Sequence, residues 1–238
     1  ITLEQFQKYH ALNQREGIKD VEYNKRCISI FTGLKYRELG NIKNTDYEML
    51  VKDIIKALDT DVEFKNAFTL NGIEYGFIPN LDSITHGEWV DLVEYQSDIN
   101  TMHKLMAVLF RPVTKKDKLG NYSIEPYNGT MERADAFKAM PLNIVSGALV
   151  FFFEFVEGIK GSYPEIYKSG TSEGSKAADY FEKWGWYASI DKLAKSNVLK
   201  INKVLKMNVH EVHMFLAHKI DKQKLKALLR QPENTIQL

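Results

Sequence analysis

The stretch PLNIVSGALVFFFEFVE, Pro141–Glu157, is the most apolar run in the chain. Pro141 suits the first turn of a helix, where its missing N–H leaves no hydrogen bond unmade. Leu142, Val145, Leu149, Phe152, Phe153 and Val156 then recur at helical spacing. The remaining positions are also largely apolar, which predicts burial on all sides and places this helix at the centre of the fold. The run is about thirteen residues long before Glu154, whereas a spanning helix needs about 20. It therefore reads as a core helix rather than a membrane anchor.

Outward from this helix, the pattern changes period twice. Phe68 and Leu70, the pair Asn71-Gly72, then Ile73, Tyr75 and Phe77 alternate about a dipeptide whose two residues both accept positive φ, the strongest short-range hairpin signal. Val113–Tyr127 reads as a second hairpin with Asp117–Asn121 as its loop. Helices fill the rest. Thr2 with Gln5 fits a capping box, Asp20 is the expected cap of a helix ending at Gly33, and Thr45 with Glu48 suggests another box ahead of Leu50, Val51, Ile54, Ile55 and Leu58. Thr85 with Glu88 is the best-specified start, because Ile84 and Trp89 occupy the two staple positions. Met102, Leu105, Met106 and Leu109 follow at i, i+3, i+4 and i+7, with a stop expected at Arg111-Pro112.

The predicted class is mainly α with two β-hairpins (α+β). A helical body spans 1–168 around a buried central helix at about 141–157, with hairpins near 68–78 and 113–127. Ser169–Ser175 reads as a linker, and 176–238 as a basic C-terminal helical appendage.

Hydrophobic content of 44% and charged content of 26% are those of a globular chain. The net charge of +1 is unevenly spread: from Lys192 onward ten Lys/Arg stand against Glu211, Asp221 and Glu233, a net of +7, which leaves −6 for the residues before. The lone Cys27 lies among Ile28, Ile30 and Phe31, as a buried structural thiol would, which suits a reducing compartment. Glu4, Gln5 and Gln7 interrupt any signal-peptide pattern at the start.

Each tempting catalytic motif fails at a named position. His210-Glu211-Val212-His213 suggests a metalloprotease, but two zinc-binding imidazoles must stand four residues apart to share a helix face, and the fourth residue after His210 is Met214. His213 instead belongs to the stripe of Val209, Val212, Leu216 and Ile220. No GxxxxGKS/T or GxGxxG cradle and no GxSxG elbow occurs. Asp91, Glu94 and Asp98 read as a solvated helix face. The expectation is a protein that is not an enzyme, with no catalytic residues, no metal site and no cofactor.

Two features point to partners. Trp184, Trp186 and Tyr187 are too closely spaced for one helical stripe to bury all three, which marks a candidate partner surface. Lys200, Lys203, Lys206, Lys222 and Lys226 are candidate contacts to nucleic acid or an acidic partner, through phosphate rather than base edges, since the helix starting Val-His-Glu-Val offers no Arg, Asn or Gln.

Several segments carry a resemblance. Ile28-Ser29-Ile30-Phe31-Thr32-Gly33-Leu34, followed by an acidic helix, is similar to an "ILTGL" segment of tailed-bacteriophage tail-assembly proteins. Three further runs resemble phage virion and tail-assembly proteins: ITHGEWVDL from Ile84, MHKLMAVLFRPV from Met102 and IEPY from Ile124. VHEVHMFLA from Val209 looks like the short final helix of that group. The resemblance covers about two thirds of the chain. It implies assembly through protein–protein contact, with other phage structural proteins as partners, many copies in a homo-oligomer or larger assembly, and a location in the virion or host cytoplasm. It supplies no functional residues. Tail-assembly chaperones are often shorter, which leaves room for a connector, neck or internal virion protein. The alternatives are a nucleic-acid-binding module using the basic C-terminal helices, with DNA as the partner, and a metal-dependent hydrolase. No membrane partner is expected.

Overall fold

The computed structural model describes residues 1–59, 62, 64–129, 132–167 and 176–230. The expected class is the one adopted: helices dominate, and two hairpins join into one four-stranded antiparallel sheet of order β1-β2-β3-β4. The chain divides into two compact units, residues 1–79 with 94–151, and residues 80–93 with 152–238. The expected linker at 169–175 lies outside the described residues.

The first unit begins with α1 (Leu3–Asn13), α2 (Asp20–Thr32) and α3 (Asn44–Leu58). The Thr2–Gln5 capping box forms, and the Gln5 side chain also donates to the Ile30 and Phe31 carbonyls at 3.2 and 3.1 Å, tying α1 to the end of α2. Gly33 ends α2 with φ 76°. Two expected caps are corrected. Asp20 is the first helical residue, not the cap, and α3 starts at Asn44, ahead of Thr45, so no Thr45–Glu48 box closes.

β1 (Ala67–Leu70) and β2 (Ile73–Phe77) turn at Asn71 and Gly72, with φ of 52° and 79°. α5 (Met102–Leu109) runs directly into β3 (Phe110–Lys116), which pairs with β4 (Tyr122–Ile124). Arg111-Pro112 is therefore strand rather than helix stop: Pro112 lies opposite Tyr75 and Arg111 opposite Gly76. The first part of β3, Phe110–Pro112, pairs with β2 and so joins the two hairpins into one sheet. Its core is aromatic. Phe68 meets Phe110 at 5.0 Å, Tyr75 meets Phe137 at 5.0 Å and Phe77 meets Phe110 at 5.2 Å, all edge-on, the arrangement ring quadrupoles favour.

α6 (Leu142–Ser162) is longer than its apolar run, and by length and composition alone it is apolar enough to cross a membrane. It is not buried on all sides. Ile144, Val145, Ala148, Phe152, Val156 and Ile159 form one buried stripe, while Val150, Phe151 and Phe153 are exposed together with Glu154 and Glu157. Residues 142–151 belong to the first unit and 152–162 to the second.

The second unit comprises a 3-10 turn at Leu81–Ser83, most of α4 (His86–Tyr95), the end of α6, α7 (Pro164–Tyr167), α8 (Lys176–Ala194), α9 (Ile201–Leu205) and α10 (Val209–Leu228). Ile190, Ala194 and Val204 form a small core with Val90, Leu193, Ile201 and Leu205.

Candidate functional site

The starts of α4 and α10 are stitched together. Thr85 and Asn208 form a β-bridge, the His86 N–H donates to Met207 O at 2.7 Å, and the Val209 N–H donates to Ile84 O at 3.0 Å. Asn208 caps α10 by accepting from the His210 N–H, and its amide donates to Asp82 O. Glu211, three residues after the cap, is exposed. The Thr85–Glu88 box closes as expected: the buried Glu88 carboxylate accepts from the Thr85 N–H at 2.7 Å and hydroxyl at 2.8 Å.

This stitching brings a cluster of rings together. His213 is fully buried; its Nδ1–H donates to Val209 O at 2.8 Å, which leaves Nε2 to accept from the Tyr167 hydroxyl at 2.7 Å. Trp89 and Trp186 pack against it at 5.2 and 5.4 Å. His86, also fully buried, packs edge-on to Trp186 at 5.5 Å, and neither of its ring nitrogens has a hydrogen-bond partner among the described residues. Nor has the Trp89 indole N–H.

Burial sets the electrostatics. It pushes His86 down to about 4, with the neighbouring His213 adding to the effect. His213 is likewise pushed down to about 4 by burial, partly offset by its bond to Val209 O. Burial raises the Tyr163 and Tyr167 phenols. At the edge of the cluster, the His210 ring lies between Asp82 (3.1 Å) and the Tyr163 hydroxyl (3.0 Å). The order carboxylate, imidazole, hydroxyl resembles a nucleophile relay, but a phenol held protonated by burial is a poor nucleophile. The cluster is built to hold neutral rings in place. His210 and His213 turn to different partners and Glu211 faces solvent, so the three do not converge. Among the described residues no group of three or more His, Cys, Asp or Glu could hold a metal.

The candidate aromatic surface is divided by its middle glycine. Gly185 interrupts α8 with φ 47° and ψ −130°, a conformation restricted to glycine. The break lets Trp186 turn into the ring cluster, while Trp184 and Tyr187 remain exposed, 5.8 Å apart, with the Lys183 ammonium over the Trp184 ring. Lys200, Lys203 and Lys206 are exposed at a 3-10 turn and the single-turn helix α9, and Lys222 and Lys226 are exposed on α10. Exposed apolar side chains complete the picture: Met214, Phe215, Leu225 and Leu228 on α10, and Val198 and Leu199 before α9. His86 and the outward residues of α10 carry no sequence motif; the spacing of Met214, Leu225 and Leu228 is the one signal that finds the latter. Comparison with family models, curated proteins and solved structures finds no match to this chain.

Proposed function

We propose that this chain is a non-catalytic bacteriophage structural or assembly protein, working through protein–protein contacts. The observation that carries the reading is the exposure of large apolar side chains, above all Met214, Phe215, Leu225 and Leu228 on α10 and Trp184 with Tyr187 either side of the break in α8. The reading takes these exposed apolar side chains as parts of contact surfaces. The ring cluster behind them gives rigid support, and the segment resemblances supply the phage setting. Mass spectrometry of purified phage particles tests it. Stoichiometric recovery supports a virion component, and recovery only in complexes with virion proteins from infected cells supports an assembly factor. A protein found in neither overturns the proposal.

A further inference from the structure

α10 carries one buried stripe and one exposed, mixed stripe. Val209, Val212, His213 and Leu216 are buried. The second stripe, Met214, His218, Asp221, Leu225 and Leu228, is spaced four, three, four and three residues apart, the seam of a coiled coil. It lies roughly 140° around the helix from the first. All five residues are exposed, Met214 at 64%, Leu225 at 55% and Leu228 at 65%. From Asp221 to Arg230 the helix is exposed on every side, and so short a free helical end is marginal in water without a partner.

We infer that α10 pairs antiparallel with α10 of a second copy, about a two-fold axis between Lys219 and Ile220. This deepens the proposed assembly role and rests on it for its biological setting. The pairing is self-complementary. In that register Met214 faces Leu225 of the second copy, and His218 faces Asp221, a ring N–H donor against a carboxylate, each pair occurring twice. The a-to-d layers of an antiparallel coiled coil are thereby complementary at these two steps, while the outermost step sets Leu228 opposite Glu211 of the second copy, so the pairing is carried by the central four layers. Charge selects the direction. Glu211 lies at one end of α10 and Lys222, Lys224, Lys226 and Arg230 at the other, so antiparallel helices bring unlike ends together, whereas parallel ones would oppose Asp221 to Asp221 and lysine to lysine. The Lys224–Asp221 pair within one helix, 3.6 Å and exposed, is too weak to hold Asp221 back.

Two measurements on the full chain test this. Sedimentation equilibrium should show a concentration-dependent dimer that Leu225→Asp weakens at least about tenfold with helicity retained. His218→Asp should weaken it too, by opposing carboxylates, and adding Asp221→Lys should restore it. In a Cys27→Ser background, chains carrying His218→Cys and chains carrying Asp221→Cys should form a disulfide dimer on oxidation when mixed, and far less when separate. Cross-linking of each separately, as parallel helices would give, overturns the inference. A monomer at all concentrations also overturns it. A dimer indifferent to Leu225→Asp overturns the α10 interface while leaving the contact-based function standing.

Discussion

His86 and His213 give this protein a specific acid sensitivity. Both rings are fully buried and titrate in the folded state near 4, against an ordinary value of 6.5. Because the folded values are depressed, the unfolded chain takes up protons first as pH falls. The contribution of these two rings is therefore flat at neutral pH and declines as pH falls between 6.5 and 4. At about 1.4 kcal/mol per pH unit, each ring removes about 2 kcal/mol by pH 5 and about 3 kcal/mol by pH 4. The perturbation is His86→Leu, which removes one titrating ring and, with it, a ring N–H that has no partner among the described residues. Its effect at neutral pH mixes relief of that group with repacking, so the informative quantity is how the difference from the native protein changes with pH. That difference should shift in favour of the variant by about 2 kcal/mol between pH 7.5 and 5. Urea unfolding followed by tryptophan fluorescence measures it cleanly, since Trp89, Trp184 and Trp186 all lie in the second unit. A difference that stays constant over this range would refute the reasoning, as would native stability that does not decline.

Three substitutions test other parts of the fold. Gly76→Ala would drive a Cβ into the Tyr122 ring, whose hydroxyl donates to the Asn66 and Phe77 carbonyls; thermal melting should show the first unit destabilised by about 1–3 kcal/mol. Gly185→Ala meets no steric obstacle among the described residues, yet should lose about 1–3 kcal/mol through its backbone conformation, with near-ultraviolet circular dichroism reporting the displaced Trp186. Thr85→Ala should cost about 1 kcal/mol or more in urea unfolding, because it removes a cap and one partner of the buried Glu88 carboxylate.

The local readings that succeed are those in which one short segment determines its own geometry. Asn71-Gly72 requires positive φ wherever it stands, and Thr2–Gln5 and Thr85–Glu88 satisfy orphan amides from within four residues. Thr45–Glu48 has the same letters as those boxes and fails, because the chain turns helical one residue before Thr45 and no non-helical residue is left to act as the cap. The burial expected around α6 fails for a related reason. Periodicity reports that Val150, Phe151 and Phe153 are apolar, but whether they are covered depends on what lies opposite. In the first unit Phe151 is met by Phe64, itself exposed, with rings 4.9 Å apart.

The candidate site is harder to read because its parts lie far apart in sequence. His86 and His213 are separated by more than a hundred residues, and nothing near either one signals the other. Val209 and Val212 place His213 on a buried face, and the Val209 carbonyl sets its tautomer, but the Tyr167 hydroxyl that satisfies its other nitrogen comes from another helix. The aromatic triplet shows the same limit from the opposite side. Three ring residues across Gly185 were bound to conflict on a continuous helix, and the conflict is real. The backbone divides the triplet: the glycine breaks the helix, sends Trp186 inward and leaves Trp184 and Tyr187 facing out. On α10 there is no break, so the helix must present both stripes at once. The inward stripe has its neighbours within the unit, and the outward one, with His218 and Asp221 at its centre, is the face that the proposed pairing of two copies would cover.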